Sequence, residues 1–171
     1  LTEALDLLAS LRVIDGLYGE AEAFTQRALA INPNSISTLA QQASIQHLRG
    51  DTAAFRTTEQ RVLAIDSEAS DFYLAIVENL MRRFRYTDAL TLAEQAVYVD
   101  PRSPHARAEL GTALLRLGRR REARYHLEAA FENDPYNLFA ANALTLLDAY
   151  DNFSMLESPR FRLLIHNDER D

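Results

Sequence analysis

Apolar residues recur at three-and-four spacing along most of the chain, as in Leu110, Ala113, Leu114 and Leu117, followed by Ala123, Leu127 and Ala130. That spacing puts one apolar stripe on each amphipathic helix. The stripes are punctuated by four polar turns, Asn32-Pro33, Asp66-Ser67, Asp100-Pro101 and Asp134-Pro135, which recur every 34 residues. A constant period of that size signals stacked repeats, each too small to bury its apolar face alone.

Other positions keep the same period. Ala21, Phe55, Ala89 and Ala123 stand at one offset; Ala28, Val62, Ala96 and Ala130 at a second; Gly16, Gly50, Phe84 and Gly118 at a third. Each unit therefore reads as two helices. The first closes near the glycine, where a left-handed residue ends a helix at little cost, and the second stops before the Asp-Pro turn. Ala9, Ala43 and Gly111 mark a further place where paired helices come close, and Val77 breaks that pattern.

Helix-turn-helix units of 34 residues with small residues and a closing Pro at these offsets resemble tetratricopeptide repeats. The resemblance implies an all-α, right-handed superhelical array over residues 1–151. Its units span about 2–35, 36–69, 70–103 and 104–137, with a further helix at 137–150 and an extended tail at 152–171. The second unit departs most, with Phe55, Val62 and Ser67 at marker positions, and is expected to be locally distorted but still helical. The resemblance also implies a concave inner wall made by the first helix of each pair.

Residues at equal offsets form ladders along that wall: Ser10, Ser44, Glu78, Thr112 and Leu146; Ile14, Leu48, Arg82, Arg116 and Tyr150; Glu3, Ser37, Asp71, His105 and Phe139; Asp6, Ala40, Leu74, Ala108 and Asn142. The mixture of charge, hydroxyl and aromatic character suits a peptide or an inserted helix better than a small metabolite. The candidate partner-binding residues are Glu78, Arg82, His105, Thr112, Arg116, Phe139 and Asn142. Arg82 and Arg116 are the sharpest pair, able to grip carboxylates through forked hydrogen bonds, unless nearby acids such as Glu78 neutralise them. Some tetratricopeptide domains clamp chaperone tails with Lys, Asn and Arg. This chain has Asp6, Ser10, Ala40 and Ser44 at the places that resemble those, which argues against such a clamp.

Composition narrows the chemistry. Eighteen basic residues, all Arg, stand against twenty-five acidic ones, for a net charge of −7. That balance opposes nucleic-acid binding, although Gly118-Arg119-Arg120-Arg121-Glu122 and Arg82-Arg83-Phe84-Arg85 are local basic runs. The absence of Lys and Cys excludes Schiff-base and thiolate chemistry. His47, His105, His126 and His166 lack metal-binding spacing, and no glycine-rich phosphate loop occurs. No catalytic residue, metal site or cofactor is expected, no apolar run is long enough to span a membrane, and the compartment is left open. The Ala-rich, Lys-free composition fits a bacterial origin.

After Tyr150 the helical spacing stops. Phe161, Leu163 and Ile165 alternate with Arg162 and His166, as in a short strand. Ser158-Pro159-Arg160-Phe161-Arg162-Leu163, leading to Asn167-Asp168-Glu169, resembles the opening strand of peptidase MA-like metallopeptidase domains. That resemblance implies an alternative role, the positioning arm of a larger bacterial zinc peptidase whose H-E-x-x-H helix would lie beyond Asp171. The tail at 159–166 is also a candidate for self-association through its free edge. The chain starts at Leu1, without Met, and is expected to be part of something longer.

Overall fold

A computed structural model describes residues 1–169. It contains α1 (Thr2–Ile14), α2 (Tyr18–Ile31), α3 (Ile36–Arg49), α4 (Thr52–Ile65), α5 (Ser70–Arg82), α6 (Tyr86–Val99), α7 (Pro104–Arg116), α8 (Arg120–Asn133) and α9 (Leu138–Tyr150). Two strands, β1 (Phe153–Glu157) and β2 (Arg162–His166), and a short 3-10 turn at Asn167–Glu169 follow. Residues 170 and 171, the last two of the expected tail, lie outside the described residues.

The periodic turn residues have one shared task. The side chains of Asn32, Asp66, Asp100 and Asp134 each accept a hydrogen bond from the backbone N–H two residues on, at 3.1, 2.9, 3.1 and 3.1 Å. This local bond mimics a backbone turn and explains why Asn or Asp recurs there. The next first helix is then capped by Ser35, Ser103 or Asn137, whose side chains accept from the N–H three residues on. At the other end of the first helices, Gly16, Gly50 and Gly118 take φ of 79°, 77° and 75°. Phe84 occupies the equivalent place at φ 60°, the one non-glycine positive φ among the described residues.

Alanines do the close packing. Ala21, Ala89 and Ala123 are fully buried where second helices meet first helices. One continuous core runs from Leu39 to Leu147, while Val13, Ala21 and Ile45 form a separate, smaller cluster under the first unit.

The second unit is distorted as expected, and the distortion lies in packing. Both α3 and α4 are uninterrupted helices of 14 residues. Phe55 stands where the other units have Ala, and α3 and α4 share a smaller face than the paired helices of the other units. Elsewhere the second helix of a unit packs on the first helix of the next; α4 shares no comparable interface with α5, which lies mainly against α3 and α6. A pocket of about 350 Å³ lined by His47, Phe55, Arg56, Glu59, Arg85 and Asp88 occupies the opening.

The strand expected around 161–166 forms as β2. It pairs antiparallel with β1, in the register Phe153↔His166, Met155↔Leu164 and Glu157↔Arg162. Strand β1 reads Phe-Ser-Met-Leu-Glu, with too little alternation to signal a strand. The hairpin reaches the helical array through Tyr150, whose ring lies 6.4 Å from that of Phe153.

Candidate interaction groove

Helices α5, α7 and α9 line a trough of three adjoining pockets. The first, about 460 Å³, is walled by Asp71, Leu74, Ala75, Glu78, His105 and Glu109. The next, about 380 Å³, shares Glu78 and Glu109 with it and adds Arg82, Phe84, Thr112, Arg116 and Phe139. The last, about 530 Å³, shares Thr112, Arg116 and Phe139 and is completed by Arg120, Asn142, Ala143, Leu146 and Tyr150. All seven residues expected to meet a partner therefore border one trough.

Their chemistry is not uniform. Glu78 Oε1 accepts from Arg82 Nη2 at 2.6 Å, one helical turn away on the same exposed face. Arg82 is thus neutralised locally, whereas Arg116 makes no ion pair among the described residues. Thr112 is buried, and its hydroxyl donates to the Ala108 carbonyl at 2.8 Å, so it supplies wall and no free polar group. His105 Nδ1 stands 3.9 Å from Asp71 Oδ1, a loose and exposed approach. Phe139 and Leu146 remain 54% and 47% exposed, an apolar floor open to solvent.

Several ladder members do not face the groove. Ser44, Ala40 and Ala108 are buried between helices. The Ser44 hydroxyl donates to the Ala40 carbonyl at 2.9 Å and accepts from Asn79 Nδ2 at 3.1 Å, which ties α3 to α5. One face of an inner helix is shared between lining the trough and seating the next repeat, and a common offset alone does not separate the two.

The structure adds residues that the ladders under-weighted. Arg120, from the start of α8, enters the α7–α9 pocket with its guanidinium carbon 4.2 Å from the centre of the Tyr150 ring. It lies outside the first-helix ladders, although its place in the basic run 118–121 was a signal. Glu109 lies at the other end, half-buried. Burial pushes its carboxyl above the usual range and Glu78 adds to this, with His105 opposing.

The trough is acidic at Asp71, Glu78 and Glu109 and basic at Arg116 and Arg120. Among the described residues no group of three or more His, Cys, Asp or Glu side chains could hold a metal, and no helix is long and apolar enough to cross a membrane.

Residues 80–147 match the model of the tetratricopeptide repeat family. No curated protein matches the chain. Solved structures share the fold at low identity. MamA is 15% identical, with 82% of each chain covered and a TM-score of 0.54. A thermophilic tetratricopeptide protein of Thermus thermophilus is 21% identical over 87% of this chain and 82% of its own, with a TM-score of 0.54. YrrB, described as a tetratricopeptide protein with an unusual peptide-binding site, is 20% identical over 86% of this chain and 76% of its own, with a TM-score of 0.51. The architecture is therefore an all-α superhelical array of tetratricopeptide-like repeats carrying a short C-terminal hairpin.

Proposed function

We propose that this chain is a non-catalytic protein-interaction scaffold that holds a peptide or protein segment in the trough of α5, α7 and α9. The observation that carries the reading is the continuity of the three pockets, with an apolar floor at Phe139 and Leu146 and an uncompensated guanidinium at Arg116. Glu78, Arg82, His105, Thr112, Arg116, Phe139 and Asn142 border the occupant. Arg116 supplies charge-assisted hydrogen bonds, Phe139 apolar area, and the Glu78–Arg82 pair a polar rim. Extended surfaces of this kind suit chain segments, since a segment can place successive side chains in successive pockets. The net charge of −7 disfavours a phosphate backbone as occupant.

Selection of 12-residue peptides from a displayed random library on the immobilised chain tests this. Enriched peptides should bind the wild type and lose at least about 10-fold in affinity to a Phe139→Asp, Leu146→Asp variant with unchanged circular dichroism, since truncating apolar anchors costs about 2 kcal/mol or more. Failure to enrich any peptide, or equal binding by the variant, sinks the groove reading.

The hairpin favours a second reading. Phe153 and Met155 lie on one of its faces and Leu156 and Leu163 on the other, all at least 39% exposed. A two-stranded ribbon that is apolar on both sides is marginal by itself. It suits the edge of a larger sheet, supplied by a second copy or by a following domain for which the array is the positioning arm. Sedimentation of the chain at several concentrations, with and without residues 152–171, tests the second copy: concentration-dependent dimers lost on truncation support it, and monomers in both cases remove it.

A further inference from the structure

We infer that the pocket between α7 and α9 takes an acidic side chain flanked by a bulky apolar one, presented on an internal segment of a partner protein, with the carboxylate on Arg116 and Arg120. This rests on the groove reading above and narrows it to one chemistry.

The pocket, about 530 Å³, has the volume for one or two large side chains. Two guanidinium groups line it and no carboxylate does. In a chain with more acids than bases, that is a local exception. Arg82 is held by Glu78 at 2.6 Å, Arg119 by Glu122 at 2.5 Å, and Arg124 by Asp148 at 2.6 Å and Asp151 at 3.0 Å. Arg116 and Arg120 form no ion pair among the described residues. Arg120 is held instead by the Tyr150 ring. Stacking occupies the face of a guanidinium and leaves its N–H donors, which lie in the plane, free for a carboxylate.

The floor adds the second requirement. Phe139, Ala143 and Leu146 present apolar surface directly beside Arg116. A bare anion would leave that surface wet, whereas an aliphatic or aromatic neighbour of the acid removes it from water. The far end of the trough fixes the direction. Asp71 and Glu109 line that end with no arginine in the wall, and the Glu78–Arg82 pair offers no net positive charge, so a carboxylate is confined to the α7–α9 end. The same carboxylates stand against a polyphosphate chain, which would have to cross them. The trough continues past the pocket through the walls shared at Thr112, Arg116 and Phe139, so the occupant's backbone runs on, as an internal segment requires.

Fluorescence anisotropy on the full chain tests the inference with three labelled, C-terminally amidated heptapeptides centred on Asp-Leu-Phe, Arg-Leu-Phe and Asp-Gly-Gly. The Asp-Leu-Phe peptide should bind at least about 10-fold tighter than either of the others. Arg116→Glu should cost it about 10-fold and favour Arg-Leu-Phe instead, with unchanged circular dichroism, because Arg116 is exposed and unpaired. A free-acid Gly-Leu-Phe peptide that matches or exceeds the amidated Asp-Leu-Phe peptide would assign the pocket to chain termini and overturn the internal-segment claim. A 12-nucleotide single strand that displaces the Asp-Leu-Phe peptide would overturn the protein partner. Equal affinities for the Asp and Arg peptides, both lost on Phe139→Asp, would refute the acid preference and leave the groove reading standing. No binding by any peptide up to 1 mM (about 4 kcal/mol of binding free energy) refutes the inference, while library selection judges the groove reading separately.

Discussion

Arg83, the residue after α5, holds its guanidinium carbon 5.3 Å from the centre of the Tyr18 ring at the start of α2. The same guanidinium donates to the carbonyls of Val13 and Ile14, the latter at 3.3 Å. Those carbonyls end α1, where only Val13 accepts from the following turn, through the Gly16 N–H at 3.1 Å, and a cation is favourable beside them. The third unit thus caps the first directly, across about seventy residues of chain. Arg83→Ala should destabilise the fold by about 1–2 kcal/mol, from a lost charge-assisted hydrogen bond and a cation–π contact. Urea unfolding measures the loss, and amide exchange should rise selectively around residues 13–18.

Phe84 and Gly118 occupy equivalent places with φ of 60° and 75°. A side chain at such φ costs about 1 kcal/mol, and Phe84 is 76% exposed, so little packing offsets it. Phe84→Gly should therefore stabilise the array by about 0.5 kcal/mol once the added freedom of the unfolded chain is subtracted. Gly118→Ala should destabilise it by about 1 kcal/mol, and since nothing lies within 4 Å of the added Cβ, the cost is purely backbone. A change of the same sign in both melting temperatures would refute the argument.

Gly111 is constrained differently. A Cβ built there would stand 2.6 Å from Leu127 Cγ and 3.2 Å from the Ala123 carbonyl oxygen, so α7 and α8 meet only because the side chain is missing. Gly111→Ala should cost about 1–3 kcal/mol through overpacking. Adding Leu127→Val should recover part of that loss, a non-additivity readable in a double-mutant cycle.

His126 titrates below its ordinary value because burial disfavours the imidazolium and Arg107 adds repulsion, with Glu122 opposing. The unfolded chain therefore binds this proton more readily than the folded one. Stability contributed by neutral His126 is full above the unfolded value near 6.5 and falls as pH drops below it, levelling off below the folded value. His126→Gln should flatten the stability–pH curve between about pH 5 and 7 relative to wild type. An unchanged difference across that range would show that the imidazole is not disfavoured in the fold.

Much of the array is legible because backbone requirements repeat. The Asn or Asp of each turn, the left-handed glycines and the fully buried alanines answer local demands that recur every 34 residues, so each unit states them again. What the period hides is what differs between units. Phe55 is visible in the sequence as an oversized marker, yet where the displaced α4 goes depends on what α5 and α6 offer in its place. The candidate site shows the same division. The ladders placed Arg82 and Arg116 as equals, but the acid one turn before Arg82 is Glu78, whereas the residue one turn before Arg116 is Thr112. Arg120 comes from a second helix, outside any ladder of first helices, and is turned into the trough by Tyr150. Strand β1 was hidden for another reason, since a ribbon apolar on both faces shows no alternation.

The thin contact between α4 and α5, carried by the Tyr73–Glu59 hydrogen bond at 2.9 Å and by Phe55 beside Phe72, has a mechanical consequence. In stacked repeats the stability of the whole is close to a sum of unit terms and couplings between neighbours. At the second joint one of the usual couplings is reduced, and most of the load passes to the contact of α3 with α5, to the Ser44–Asn79 bond and to the Arg83 cap. That joint is therefore held mostly through its inner helices, away from the turn at residues 66–69. The α5–α9 trough lies wholly on one side of that joint, so bending there leaves the surface that would meet a partner undisturbed.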